Sequence, residues 1–104
     1  MRRVFIPNKS GHDFSPALAF GELVYVTEGL VNRYQVNKIY RLCMEAMKDA
    51  GPDDYILLSS LPIISSVMAM ILGARFGKVN FLLYSKELDT YETRTIVLSE
   101  GALA

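Results

Sequence analysis

The chain has 104 residues and is poor in the residue types that usually carry chemistry: one cysteine, one histidine and no tryptophan. A single cysteine excludes an internal disulfide and fits a reducing compartment such as the cytoplasm. His12 and Cys43 stand on separate segments and make no metal ligand set, so neither a metal nor another cofactor is expected. Neither sign of charge is in excess, since 11 basic and 11 acidic residues cancel. That argues against a broad nucleic-acid surface, which needs clustered lysine and arginine to displace counterions. Neither G-x-G-x-x-G nor G-x-x-x-x-G-K-[ST] occurs, so there is no glycine-rich phosphate loop. The longest uncharged apolar stretch, Ser59 to Ala74, is too short and too interrupted by serine to span a bilayer. No secretory leader is expected either, because the apolar run of "MRRVFIPN" stops at Pro7.

What the chain does have is apolar mass. Hydrophobic residues make up 51% of it, including six tyrosines and five phenylalanines. Such a composition buries enough apolar area to offset chain entropy, and the length suits one domain spanning residues 1–104.

The apolar runs alternate with helical patterns, the signature of βαβ units. "RRVFIP" reads as a first strand closed by Pro7. Ser15 as N-cap, Pro16 at the first turn and Gly21 as the exit make a short helix. "ELVYVT" is a second strand. The clearest helix is "NRYQVNKIYRLCMEAMKDAG", capped by Asn32 with Gln35 in a capping box. Val36, Ile39, Tyr40, Cys43 and Met47 make its apolar stripe, and charged residues occupy the other side. "DYILLSS" is a third strand, "LPIISSVMAMILGARFG" a second long helix, and "KVNFLLYS" a fourth strand. "YETRTIVL" alternates as a fifth strand, antiparallel at an edge, where Glu92 and Arg94 discourage pairing with a stray sheet. The expected fold is therefore a single small α/β domain. It has a mostly parallel sheet of Rossmann-like βαβ units and a C-terminal antiparallel hairpin strand.

The second long helix is unusual. Leu61 to Leu72 carries no charge in 12 residues. A helix apolar all round should be buried all round, which a domain of this size rarely achieves. One reading leaves Ser65, Ser66 and Ala69 as a thin exposed face. The other packs the helix on a second subunit through Ile63, Ile64, Val67, Met68, Met70 and Ile71, most simply as a dimer about a twofold axis. The second is expected here, because exposed Met and Ile invite association.

Ligands of open α/β sheets bind outside the carboxyl ends of the strands. That rule gathers Lys9, Ser10, His12 and Asp13 after the first strand with Ser59 and Ser60 after the third. Ser59 and Ser60 precede a helix N-terminus, whose free N–H groups suit a phosphate or carboxylate, with Lys9 to assist. The plainer reading is that Ser60 merely caps the helix. His12 beside Asp13 could be a base with its orienting carboxylate, but adjacent residues point apart, and an Asx turn at Asp13 is the better reading. Cys43, on the apolar stripe, reads as core.

"RRVFIPNKSGHDFSPALAFGELVYVTEG", with "DDYILLSS" and "GKVNFLLYS", resembles small proteins of tailed bacteriophages. The shared pattern is a strand, a G-[HY]-D-[FY]-S loop, a G-E-[LIV]-V strand and the two later strands. No diagnostic catalytic motif belongs to that group, so no functional residue carries over. The resemblance implies expression in the cytoplasm of an infected bacterium and a non-catalytic binding or host-modulating role. The sequence thus favours a homo-oligomeric protein-interaction or assembly module over an enzyme. The alternative is a domain that binds or processes a small anionic ligand, such as a nucleotide, at the rim.

Overall fold

The computed structural model describes residues 2–59 and 61–98. Five strands form one sheet: β1 (Arg3–Lys9), β2 (Glu22–Glu28), β3 (Tyr55–Leu57), β4 (Lys78–Ser85) and β5 (Thr90–Val97), in the spatial order β2-β1-β3-β4-β5. The first four run parallel and β5 returns antiparallel to β4. The expected fold class and terminal hairpin are therefore those observed.

β1 is buried without interruption from Val4 to Asn8. A central parallel strand has to be, since both of its faces are covered. Two helices, α1 (Val36–Ala46) and α2 (Pro62–Phe76), cover one face together. Ile39, Cys43 and Met47 of α1 and Ile64, Met68 and Leu72 of α2 pack there on Phe5, Val26, Ile56 and Val79. The opposite face is covered by less. A 3₁₀ helix, Ser15–Ala19, sets Ala17, with Phe14 before it, against Val4, Ile6, Leu57 and Leu82. Handedness explains the split. The step from β1 to β2 runs in the opposite direction to the later steps, so a right-handed crossover places its connection on the other face.

Several boundaries moved for identifiable reasons. Pro7 sits inside β1 rather than closing it. The β1–β3 pairing covers only Val4–Tyr55 and Phe5–Ile56, and the β1–β2 ladder passes from Ile6–Tyr25 to Asn8–Thr27. Pro7, which has no N–H, thus lies between paired positions. Ser15 does not cap the short helix: Asp13 Oδ1 accepts the Ser15 N–H at 2.9 Å, an Asx turn. Asn32 likewise spends its side chain locally, on the Tyr34 N–H at 3.0 Å, and α1 begins only at Val36 with no side-chain cap. β3 is three residues long, shorter than its apolar run.

Two glycines are required by geometry. Gly21 passes so close to the chain start that a Cβ there would lie 2.5 Å from the Arg2 carbonyl oxygen, which accepts the Glu22 N–H at 3.0 Å. Gly77 ends α2 in the left-handed region at φ 69° and donates to the Gly73 carbonyl at 3.0 Å.

Candidate functional site

The direction of the connections reverses between β1 and β3, and the carboxyl ends of those strands mark the place where a ligand crevice is expected. Lys9 ends β1 with its ammonium 5.5 Å from the centre of the Tyr25 ring. Ser10 Oγ accepts the His12 N–H at 3.3 Å. The His12 ring lies tilted by 60° against Phe14 with centroids 4.9 Å apart, on the face covered by the 3₁₀ helix. Asp13 faces Ser15, whose N–H and hydroxyl hold its carboxyl below the usual range, with a smaller contribution from His12. The Asp13 carboxylate is thus part of a turn, as the plainer sequence reading has it.

Ser59 lies elsewhere. It lines a cavity of about 460 Å³ beside α2 with Leu58, Pro62, Ser65, Ala69 and Phe81, on the helical face of the sheet. Its hydroxyl is buried and has no hydrogen-bond partner among the described residues. The two halves of the expected rim are therefore parted by the sheet. Ser60 lies outside the described residues. Leu61 occupies the cap position of α2 and makes no side-chain cap bond.

The predicted contact set on α2 is also redistributed. Ile64, Met68 and Ile71 are core residues, at 0%, 0% and 6% exposure, so they cannot meet a second subunit without unfolding their own. Ile63 and Val67 are half-buried against the same core. Only Met70 stands in solvent, at 71% exposure, beside Tyr40 and Ala74. Ser66 and Ala74 share the outer side, while Ser65 is buried.

Two polar clusters escaped the sequence reading. At the carboxyl end of β1, Asn8 Nδ2 donates to Thr27 Oγ1 and to the Gly29 carbonyl, both at 2.9 Å. Thr27 Oγ1 donates to the Pro7 carbonyl at 2.6 Å. The available signal was two small polar residues at equal offsets along two parallel strands. At the opposite end, Asp54 is 4% exposed and accepts the backbone N–H groups of Arg3 and Gly51 at 2.8 and 2.7 Å. Both clusters are fully engaged in holding chain segments together. Beyond Thr27, a cavity of about 370 Å³ opens between β2 and α1, lined by Glu28, Asn32, Gln35 and Lys38 among others. Cys43 is buried in the core, and burial pushes its thiol up to about 11. Among the described residues, no three His, Cys, Asp or Glu side chains converge as a metal site.

A model of the Phage Pam3 gp32-like protein family matches residues 2–98. The chain belongs to that family. The resemblance to small phage proteins is thereby established over nearly the whole chain, and the family's description assigns no activity. No curated protein and no solved structure matches the chain. Among the described residues, no helix of this family member is long and apolar enough to cross a membrane.

Proposed function

We propose that this phage protein is a non-catalytic interaction module that assembles with copies of itself. The observation that supports this reading is the part of the β4–β5 hairpin that α2 leaves uncovered. α2 reaches Val79 and Phe81 of β4 and stops there. Beyond it, Leu83 of β4 and Ile96 and Val97 of β5 are exposed, at 37%, 56% and 72%. β5, which carries Ile96 and Val97, is an edge with no further strand on its outer side among the described residues. Exposed apolar side chains on an open edge are an association surface by default, because an unpaired ladder and apolar area are both improved by contact. Two of the groups that acid–base or thiol chemistry would use are engaged elsewhere: Asp13 on Ser15 and Cys43 in the core. Sedimentation equilibrium of the full chain is the direct test. The expected result is a reversible species of twice the 11.7 kDa chain mass in the micromolar range. A monomer throughout that range overturns the reading.

A further inference from the structure

We infer that two copies join edge to edge through β5, antiparallel about a twofold axis at Thr93, with Glu92 of each copy opposite Arg94 of the other. The inference rests on the self-assembly reading above and specifies its surface and register. β5 is paired to β4 along one side, from Val97 opposite Lys78 to Thr90 opposite Ser85. The Leu98 N–H donates to the Gly77 carbonyl at 2.8 Å, one step beyond that register. By the alternation of an antiparallel ladder, Thr90, Glu92, Arg94 and Ile96 turn their N–H and C=O groups toward β4. Those of Tyr91, Thr93, Thr95 and Val97 face outward and form the open edge.

A twofold axis normal to the sheet keeps each side chain on its own face and permits a small set of registers. Charge selects among them. With the axis at Glu92, two carboxylates face each other. With the axis at Arg94, two guanidinium groups do. With the axis at Thr93, each Glu92 faces an Arg94, and the two contacts are equivalent by symmetry. The outward groups of Tyr91 and Thr95 then meet in ladder bonds, and Thr93 meets its own copy. Within one chain Glu92 and Arg94 lie 3.8 Å apart on one face of β5, at 43% and 62% side-chain exposure, so a second copy would close an alternating four-charge cluster. Arginine suits that role, since its planar fork can hold two carboxylates. The same charges that repel an unmatched edge therefore admit a matched one. The other edge offers no such match: full-length pairing of β2 about Tyr25 would set Glu22 against Glu28 of the copy.

Charge-swap variants of the full chain test the register. Glu92→Arg alone and Arg94→Glu alone each place like charges at both symmetric contacts. Each should raise the dimer dissociation constant about tenfold or more. The double variant E92R/R94E restores opposite charges and should dimerise again. An equimolar mixture of the two single variants should form a heterodimer, seen by native mass spectrometry, that neither forms alone. Should a single variant fail to fold by circular dichroism, an equimolar mixture of Glu92→Cys and Arg94→Cys gives an independent readout. Facing each other across a non-hydrogen-bonded pair, where side chains come closest, the two introduced thiols should oxidise to a covalent heterodimer, whereas neither variant alone should form a covalent dimer. Dimers that survive both single reversals, with no preference for the mixed pair, overturn the register and leave self-assembly standing. A wild-type monomer overturns both.

Discussion

Replacing Asp54 by alanine should cost about 3–6 kcal/mol, from two charge-assisted backbone bonds at about 1.5–3 kcal/mol each. The carboxylate is 4% exposed, so it has little water to fall back on. Oδ1 takes the Arg3 N–H and Oδ2 the Gly51 N–H, which joins the start of β1 to the turn entering β3. Alanine leaves both N–H groups without their acceptor. The Arg3 guanidinium lies 3.6 Å away but is 36% exposed, so the ion pair adds no more than about 0.5 kcal/mol. Against the roughly 5–15 kcal/mol that holds a domain of this size folded, the loss is large. The midpoint of thermal unfolding should fall by about 12 °C or more. Asp54→Asn keeps one carbonyl oxygen and should recover part of the loss, while Arg3→Ala should cost under about 1 kcal/mol. Urea unfolding followed by far-ultraviolet circular dichroism measures all three. An Asp54→Ala variant within about 1 kcal/mol of wild type would refute the reasoning, because the buried carboxylate would then not be holding the two segments.

Two further outcomes follow from the burial of particular side chains. Met68→Glu should unfold the chain, at a cost above about 4 kcal/mol, because it forces a charge into the core, whereas Met70→Glu should change stability by less than about 0.5 kcal/mol. Equal effects in a chemical denaturation series would contradict the assigned orientation of α2. Cys43 should resist thiol reagents at pH 8 until denaturant is added. Its folded form holds the proton to about pH 11, while the unfolded thiol releases it near 9.0. The folded state therefore binds more protons in that window, and its stability should fall from pH 9.0 to 11 relative to Cys43→Ala. A parallel decline in both proteins would exclude the thiol as the cause.

Much of the architecture was legible from residue order. Period-two and continuous apolar runs marked all five strands. The stripe of Ile39, Cys43 and Met47 marked the buried side of α1 and put the cysteine in the core, where it lies. Turn chemistry was legible in type but less so in its residue. The loop's composition favours an Asx turn at Asp13 over an acid–base pair, and the structure has that turn, yet the cap expected at Ser15 is absent. Both residues are good cap formers, and the loop path chose between them. For the candidate site, the carboxyl-end rule picked out the segments that follow β1 and β3. It carries no information about which face of the sheet each segment leaves from, and Ser59 and His12 leave from opposite ones.

The order of apolar and polar residues was enough to specify the elements, the antiparallel return of β5 and the buried stripe of α1, because each is a local periodicity that the backbone repeats. It could not orient α2. A helix apolar on every side has no preferred inward direction of its own, and only the strands beneath it made Met68 core and Met70 surface. The edge is divided. Residue order already put Glu92 and Arg94 on an antiparallel edge strand, and β5 is outermost. Which of its backbone groups β4 leaves unpaired is decided only by the register of the hairpin.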